Sequence, residues 1–496
     1  MASAASRSVW PKAASLLVAR ALAGHRTLGL VAGALVYILA LTGSLLVFNQ
    51  ELQRWEQPRA PEMTAITPEA VDQAARSVLA REPEPTSHLW VHLPRPELPR
   101  TVITTDTQAV FVAESGAIAG GESFPWTQFV LDLHYYLHLP QVLGLTAVGA
   151  LGVLMLALTV SGLVAHPRIL RDAFTLRKGS DPVAVADLHN RLSVWTMPFH
   201  VAIALTGALL GLATILAVVL ASVHFSGDTD QVFAPIFGSE PAHEDRAPEQ
   251  VALANVVAPL EHMARAEPDV IPSYLVLHDP GTPRQHVSVI GLHPERLIFG
   301  EYYNFTADGA FIGTTGMADG SVSQQVVASV YNVHFGNWGG LPVKLVYGAL
   351  GLVLCVIVAS GLRLYLTKRA SRPRLAAAWR FIVWGVPALL AVTLLVSIVT
   401  EFGTTTLTGL FWGGLALGAA AAGYLGRPAQ IGGWARGVAG VGLLFAVVGH
   451  LSVLQPSLRP DAIAGVSLAF AVSGLALLAS ARASRPRLVD ASTAAP

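Results

Sequence analysis

The feature that most constrains this chain is a set of about eight apolar runs, each near the 20 residues that cross a hydrocarbon core. They lie at 28–48, 143–165, 194–221, 341–365, 381–400, 404–424, 438–454 and 462–480. In lipid every backbone polar group must be satisfied within the segment, so runs of this length fold as helices. The rest of the composition agrees: 53% of the 496 residues are hydrophobic and 13% are charged, against about 25% charged in soluble domains. The fold class is therefore an α-helical integral membrane protein. The first run is followed by Phe48-Asn49-Gln50-Glu51 rather than a small-residue cleavage site, and reads as a retained anchor.

Lys and Arg in short flanking segments set the orientation. Arg7, Lys12, Arg20 and Arg26 precede the first helix, and Arg168, Arg171, Arg177 and Lys178 join the second to the third. Arg363, Lys368, Arg369, Arg372, Arg374 and Arg380 follow the fourth, Arg427 and Arg436 link the sixth to the seventh, and Arg482, Arg485 and Arg487 form the tail. All fall on one side, which should be cytoplasmic, with both termini inside. The short outer links hold only Glu401, Arg459 and Asp461.

Two long outer segments, 49–128 and 225–325, repeat one order of elements. In the first, Thr67-Pro68-Glu69 starts a helix running to about Arg81. Strands follow at 88–93, 101–105 and 109–113, then the turn Glu114-Ser115-Gly116. In the second, a helix at 248–266 precedes strands at 273–277, 285–290 and 297–305 and the turn Ala307-Asp308-Gly309. Each is read as a small α+β module. The expected organisation is 1–48 (N-terminus and first helix), 49–128 (module one), 129–224 (second and third helices), 225–325 (module two), 326–370 (fourth helix) and 371–496 (an appended four-helix region and tail).

The helices duplicate as well. His25-Arg26-Thr27-Leu28 leads to Thr42-Gly43, and His189-Asn190-Arg191-Leu192 leads to Thr206-Gly207, with 17 residues from His to Thr in both. His134 precedes Ser161-Gly162 by 27, and His334 precedes Ser360-Gly361 by 26. A parallel repeat relates equivalent residues by an axis along the membrane normal. His25 and His189 should then meet near the cytoplasmic face, and His134 and His334 near the outer face. The Ser/Thr-Gly dipeptides would allow close helix approach or leave room for a flat macrocycle.

Ionisable residues at membrane depth usually mark a functional path. Paired imidazoles at two depths suit two bis-histidine haems carrying electrons across the bilayer. With one cysteine, Cys355, and no C-x-x-C-H, those haems would be non-covalent haem b. The lone thiol also excludes a disulfide framework, a thiolate zinc site and a Cys-ligated cluster. His138, one turn from His134, is a reserve ligand, and His200, 11 residues beyond His189 and about 16 Å deeper on the same helix, is a reserve ligand or a partner to a propionate or proton path. His166 and His224 read as interfacial and His450 as structural. His88, His92, His243, His262, His278, His286 and His293 belong to the outer segments. Lys+Arg and Asp+Glu balance at 32 each, so nothing speaks for a nucleic-acid partner. No Walker A sequence appears, and the run Gly437-Val438-Ala439-Gly440-Val441-Gly442 lacks the preceding strand of a dinucleotide motif.

The stretches His25-Arg26-Thr27-Leu28-Gly29-Leu30, Leu133-His134-Tyr135-Tyr136-Leu137-His138-Leu139-Pro140, Asp187-Leu188-His189-Asn190-Arg191 and Val333-His334-Phe335-Gly336-Asn337-Trp338-Gly339-Gly340 resemble the PepSY-associated transmembrane helix family over about 21–369, and the outer segments look like PepSY modules. The resemblance implies a protein of the bacterial inner membrane, similar to dihaem reductases of periplasmic ferric siderophores. It implies His25, His134, His189 and His334 as haem-iron ligands. The donor is then quinol or a separate redox protein, since no flavin or nicotinamide site is visible. The ferric complex would dock between the modules and the helix ends, where Trp126, Tyr135, Tyr136, Tyr302, Tyr303 and Trp338 lie; the same aromatics would suit an interfacial belt. The alternatives are a b-type cytochrome for another periplasmic acceptor, a non-enzymatic PepSY membrane binding module, and a siderophore permease.

Overall fold

The computed structural model describes residues 15–166, 168, 169, 174, 177, 182–237, 251–315, 317–367, 372–454 and 462–483. Arg7, Lys12, Arg171, Lys178, His243, Lys368, Arg369, Arg459, Asp461, Arg485 and Arg487 lie outside the described residues.

The first half of the duplication runs α1 (Ser15–Leu46), α2 (Asn49–Glu56), α3 (Pro68–Leu79), β1 (His88–His92), β2 (Thr101–Thr104), β3 (Ala109–Val112), β4 (Ile118–Gly121), α4 (Pro125–Tyr136) and α5 (Gln141–Ala165). The second runs α6 (Pro182–Trp195), α7 (Met197–His224), α8 (Asp230–Phe237), α9 (Val257–Ala266), β5 (Ile271–His278), β6 (His286–Leu292), β7 (Glu301–Phe305), β8 (Phe311–Thr314), α10 (Val322–Phe335) and α11 (Gly340–Thr367). Then come α12 (Pro373–Val399), α13 (Thr404–Leu425), α14 (Pro428–Gly449), with a π-turn at His450–Leu454, and α15 (Ala462–Ala483). Among the described residues eight helices, α1, α5, α7 and α11 to α15, are long and apolar enough to span a bilayer. The chain is a multi-pass membrane protein.

Local chemistry sets the breaks. Pro198, in the first turn of α7, has no N–H to continue the preceding helix, so the third apolar run is two helices rather than one. This corrects the expectation that His189 and His200 share one helix face. Likewise His134 and His334 do not head the long helices. Each sits on a short helix of its own, closed by a left-handed residue, Leu137 (φ 52°) after α4 and Gly336 (φ 69°) after α10. Thr67 caps α3, accepting from the amide of Ala70 at 3.2 Å, and Ser321 and Gln324 form a capping box at the start of α10. Three boundaries move. The helix expected from 248 starts at Val257, with 248–250 outside the described residues; the last expected strand shortens to Glu301–Phe305; and β4 and β8, each after a turn glycine, were not foreseen.

The two outer segments share one sheet. Its order is β4-β3-β2-β1-β5-β6-β7-β8, every pair antiparallel, and the β1–β5 pairing joins the halves with His88 opposite His278 and His92 opposite Tyr274. Strand alternation sends Leu89, Val91, Leu275 and Leu277 into a core under α3 and α9, against Val71, Ala74, Val78 and Met263. Burying each large aliphatic there contributes about 1.5–3 kcal/mol. Trp90, His92, Tyr274 and Tyr302 alternate to the other face, where Tyr274 neighbours Tyr331 of α10.

The appended bundle docks on the first half. Tyr37 of α1 donates to the carbonyl of Val383 at 2.7 Å, and the indole of Trp126 reaches the carbonyl of Leu390 and Thr393 Oγ1, both at 3.2 Å. Trp55 of α2 donates to Ser467 Oγ at 2.9 Å and stacks on His450 at 4.0 Å between centroids.

Candidate functional site: paired histidines seated on helix glycines

The four histidines of the duplication meet as two pairs. His25 of α1 and His189 of α6 have ring centroids 6.2 Å apart. His134 of α4 and His334 of α10 are 6.4 Å apart. The inner pair and the outer pair lie near opposite ends of α1. From His25 to Thr42, on which His134 rests, the helix rises about 25 Å.

Each ring occupies the same kind of seat. His25 Nδ1 is 3.0 Å from the carbonyl of Leu158 and 3.2 Å from Ser161 Oγ, and His189 Nδ1 is 2.9 Å from the carbonyl of Ile357 and 3.4 Å from Ser360 Oγ. His134 Nδ1 is 3.0 Å from Thr42 Oγ1 and bonds the carbonyl of Leu39. His334 Nδ1 is 2.9 Å from Thr206 Oγ1 and bonds the carbonyl of Ile203. In every case the carbonyl belongs to the residue three before the hydroxyl. That hydroxyl donates into its own helix, so it meets the imidazole as an acceptor.

The glycine after each hydroxyl completes the seat. A Cβ on Gly43, Gly207 or Gly361 would stand 2.9 Å from Cε1 of His134, His334 or His189, and one on Gly162 would stand 3.2 Å from Cε1 of His25. The Ser/Thr-Gly dipeptides thus hold imidazoles edge-on, a use the sequence reading did not assign to them. The signal was there, since the same dipeptide type recurs at all four places.

A carbonyl only accepts, so each Nδ1 carries the proton and each Nε2 keeps its lone pair. Among the described residues no hydrogen bond engages Nε2 of these four. Two imidazoles sharing one metal, each with a metal–nitrogen distance of about 2 Å, place their centroids a little over about 6 Å apart, which both pairs match. Beside the inner pair is a cavity of about 510 Å³, lined also by Arg26, Gly29, Gly33, His166, His200 and Tyr365. Gly29 and Gly33 widen it, having no neighbour closer than 3.9 Å to an added Cβ. Among the described residues His166 Nδ1 has no hydrogen-bond partner, and it is buried there.

Of the reserve histidines, His138 is tied to other partners, whereas His200 shares the cavity of the inner pair. His138 has both nitrogens engaged: Nε2 donates to the carbonyl of Phe129 at 2.9 Å, and Nδ1 accepts from the indole of Trp412 at 3.0 Å. His200 is buried between Thr196, 3.2 Å from its Nε2, and α11, and lines the inner cavity. Of the aromatics named for docking, Trp126 lies buried under α12 and Tyr303 in the sheet core. Tyr135 and Tyr302 are half-buried on the side of the outer pair, Tyr135 lying 6.1 Å from His134. Beside Tyr302 on the sheet face stand Tyr274, with Arg95 5.5 Å from its ring, and His92, 4.9 Å from it. Burial and the Arg95 charge push His92 down to about 4, so this imidazole is neutral at physiological pH.

Among the described residues no group of three or more His, Cys, Asp or Glu side chains is arranged to hold a metal ion. The family described as the PepSY-associated TM region matches residues 22–368, a span that closes before α12. The chain is also similar to an uncharacterized protein of Pseudomonas aeruginosa, 28% identical over 361 residues, covering 67% of this chain and 90% of that relative.

Proposed function

The chain belongs to the PepSY-associated TM family, and on that footing we propose that it is a b-type dihaem reductase of the bacterial inner membrane, passing electrons to a periplasmic ferric siderophore and releasing ferrous iron. One observation carries the reading: four imidazoles, each held through Nδ1 in the same Ser/Thr-Gly seat, lie as two couples with centroids 6.2 and 6.4 Å apart, and among the described residues none has a hydrogen bond at Nε2. A pair of imidazoles is too few for a bare ion, which takes about four ligands in a structural zinc site. It is what a porphyrin-bound iron asks of a protein.

Haem, when bound, would supply a one-electron ferric–ferrous couple. His25 and His189 would hold the inner group, and His134 and His334 the outer one. The helix carbonyls and hydroxyls orient each ring and keep its proton on Nδ1. Arg26, His166 and Tyr365 line the inner cavity and offer donors to propionates. On the opposite side Arg95, His92, Tyr274 and Tyr302 make a face suited to a ferric complex with an anionic, oxygen-rich ligand shell. Ferric iron is hard and tightly held by such oxygens, and ferrous iron far less so, so one-electron reduction is a release step. The positive-inside rule reads the Arg-rich helix ends as cytoplasmic, which supports a periplasmic sheet. Quinol or a separate redox protein supplies the electrons.

The test is spectroscopic. Full-length protein purified from haem-replete cells should be red, hold two haems per chain, show low-spin b-type bands that shift with dithionite, and be reoxidised by a ferric siderophore. A colourless preparation overturns the proposal and favours a binding module or permease. Two haems without reoxidation point to another acceptor.

A further inference from the structure

We propose that the appended bundle aims the outer histidine pair, with Trp412 of α13 and His138 as positioning residues that fix the turn carrying His134. The inference rests on the reading of His134 and His334 as haem ligands. It gives a part in that site to α12–α15, which lie beyond the matched family span.

The turn between α4 and α5 is strained backbone. Among the described residues four non-glycine positions have φ in the left-handed region, and only two of them, Leu137 (52°) and His138 (56°), are adjacent. There the Cβ of an L residue crowds the following carbonyl, so the conformation persists only where its surroundings impose it. The amides of Leu137, His138 and Leu139 bond the carbonyls of Leu133, Asp132 and Tyr136 at 3.1, 3.3 and 2.9 Å. Helix α5 presses on the same place, since a Cβ on Gly144 would stand 2.5 Å from the carbonyl oxygen of Tyr136. His134 lies three residues before Leu137, so the imidazole follows any shift of the turn.

His138 ties this turn down. Its Nε2 donates to the carbonyl of Phe129 at 2.9 Å, and its ring stacks on Phe129 with centroids 4.9 Å apart. Nδ1 is then an acceptor, and the indole of Trp412 donates to it at 3.0 Å. The preceding residue of α13, Phe411, is fully buried with its ring 5.7 Å from Phe129. Two consecutive aromatics of α13 thus grip α4, one by apolar contact and the other by a directional bond.

The second half of the duplication provides the comparison. Its turn after α10 places a glycine, Gly336 (φ 69°), where the left-handed conformation costs least. Its clamp is internal. Tyr347 of α11 donates to the carbonyl of Val333 at 2.8 Å and accepts from the indole of Trp338 at 3.3 Å. A Cβ on Gly336 would stand 3.1 Å from the same tyrosine ring. Helix α5 has no aromatic residue, so the first half lacks a tyrosine to do this, and Trp412 acts from the bundle instead.

Trp412→Phe keeps a ring and deletes the donor. Amide exchange over 133–139 in the full chain should rise about two- to tenfold, the factor that one hydrogen bond is worth. Two haems should stay bound, and the low-spin EPR signal and midpoint potential of the outer haem alone should shift. Tyr37→Phe loosens the bundle at Val383, away from the turn, and Trp434→Phe lies on an exposed face of α14; neither should change exchange over 133–139 or the outer-haem signal. Unaltered exchange in Trp412→Phe, faster exchange with an unmoved outer-haem signal, or an equal response in Tyr37→Phe overturns the proposal. The exchange measurement needs no haem, so a colourless preparation would sink the ligand reading and still decide whether α13 holds the turn.

Discussion

Gly43 and His134 are fitted to one another: a β-carbon on the glycine would stand 2.9 Å from Cε1 of the imidazole. Gly207 and His334 repeat the relation at the same distance. A contact that short cannot persist, and His134 has no spare room, because Thr42 and Leu39 hold its Nδ1. Gly43→Ala or Gly207→Ala should therefore displace one outer imidazole and lower bound haem from two per chain toward one, with the inner low-spin signal intact. Gly413→Ala, with nothing within 4 Å of its Cβ, should leave both. Haem-to-protein ratio and reduced-minus-oxidised spectra read the outcome, and two full haems in Gly207→Ala would sink the seat argument.

Replacing His25 or His189 with Ala should remove the inner haem, and replacing His334 with Ala the outer one together with ferric-complex reduction. His138→Ala should keep both haems. Its cost should instead appear as stability, about 1–3 kcal/mol, because it deletes the acceptor of Trp412 and so loosens α13. Thermal unfolding followed in parallel with the Soret band separates these outcomes. Loss of a haem in His138→Ala would return that residue to the ligand set.

Much of this architecture was legible in the sequence because its signals are long or repeated. Apolar runs mark the spans, and the 17-residue interval from His to Thr marks the two halves. Thr67-Pro68 marks a helix start whose cap is formed by Thr67 Oγ1. What was not legible depends on tertiary partners. Pro198 breaks the third run, yet a proline in an apolar stretch equally suits a kinked span. The β1–β5 pairing that fuses the two modules joins residues almost 200 positions apart, such as His88 and His278, and no local pattern announces it. Thr42-Gly43 read as room for close helix approach or for a flat macrocycle, not as an imidazole seat, because its imidazole partner comes from another helix.

Glu56 gives the fold a pH dependence. Its carboxylate accepts from the amides of Trp126 at 3.0 Å and Thr127 at 2.7 Å and from the Thr127 hydroxyl, yet burial dominates and pushes its pKa from 4.5 up to about 7. The native state then binds the proton more tightly than the unfolded chain. The stabilisation is complete below about 4.5 and is lost as pH rises through about 7. Unfolding temperature in detergent should fall between pH 5 and pH 8, and Glu56→Gln should flatten that fall. Glu122, also raised to about 7 by burial, adds to the fall, and His92, held at about 4, opposes it below about 6.5. An unchanged slope in Glu56→Gln would assign the whole effect elsewhere.

Trp55 and His450 decide whether the appended bundle is held by stacking or by hydrogen bonding. The indole is fully buried, lies 4.0 Å from the imidazole at an interplanar angle of 6°, and its carbonyl accepts from His450 Nε2 at 2.7 Å. His450 Nδ1 is buried with no hydrogen-bond partner among the described residues, so the imidazole carries a desolvation cost as well as a bond. In His450→Phe the stack survives, the carbonyl of Trp55 loses its donor, and the orphaned nitrogen disappears. These terms are each about 1–3 kcal/mol and of opposite sign, so the net change should be small. Trp55→Ala removes the stack, the indole bond to Ser467 and a large buried volume, costing about 3–5 kcal/mol. Amide exchange in α14 and α15 should accelerate strongly in Trp55→Ala and little in His450→Phe. Equal acceleration in both variants would mean that the hydrogen bond, not the stacked ring, fastens α12–α15 to the first half.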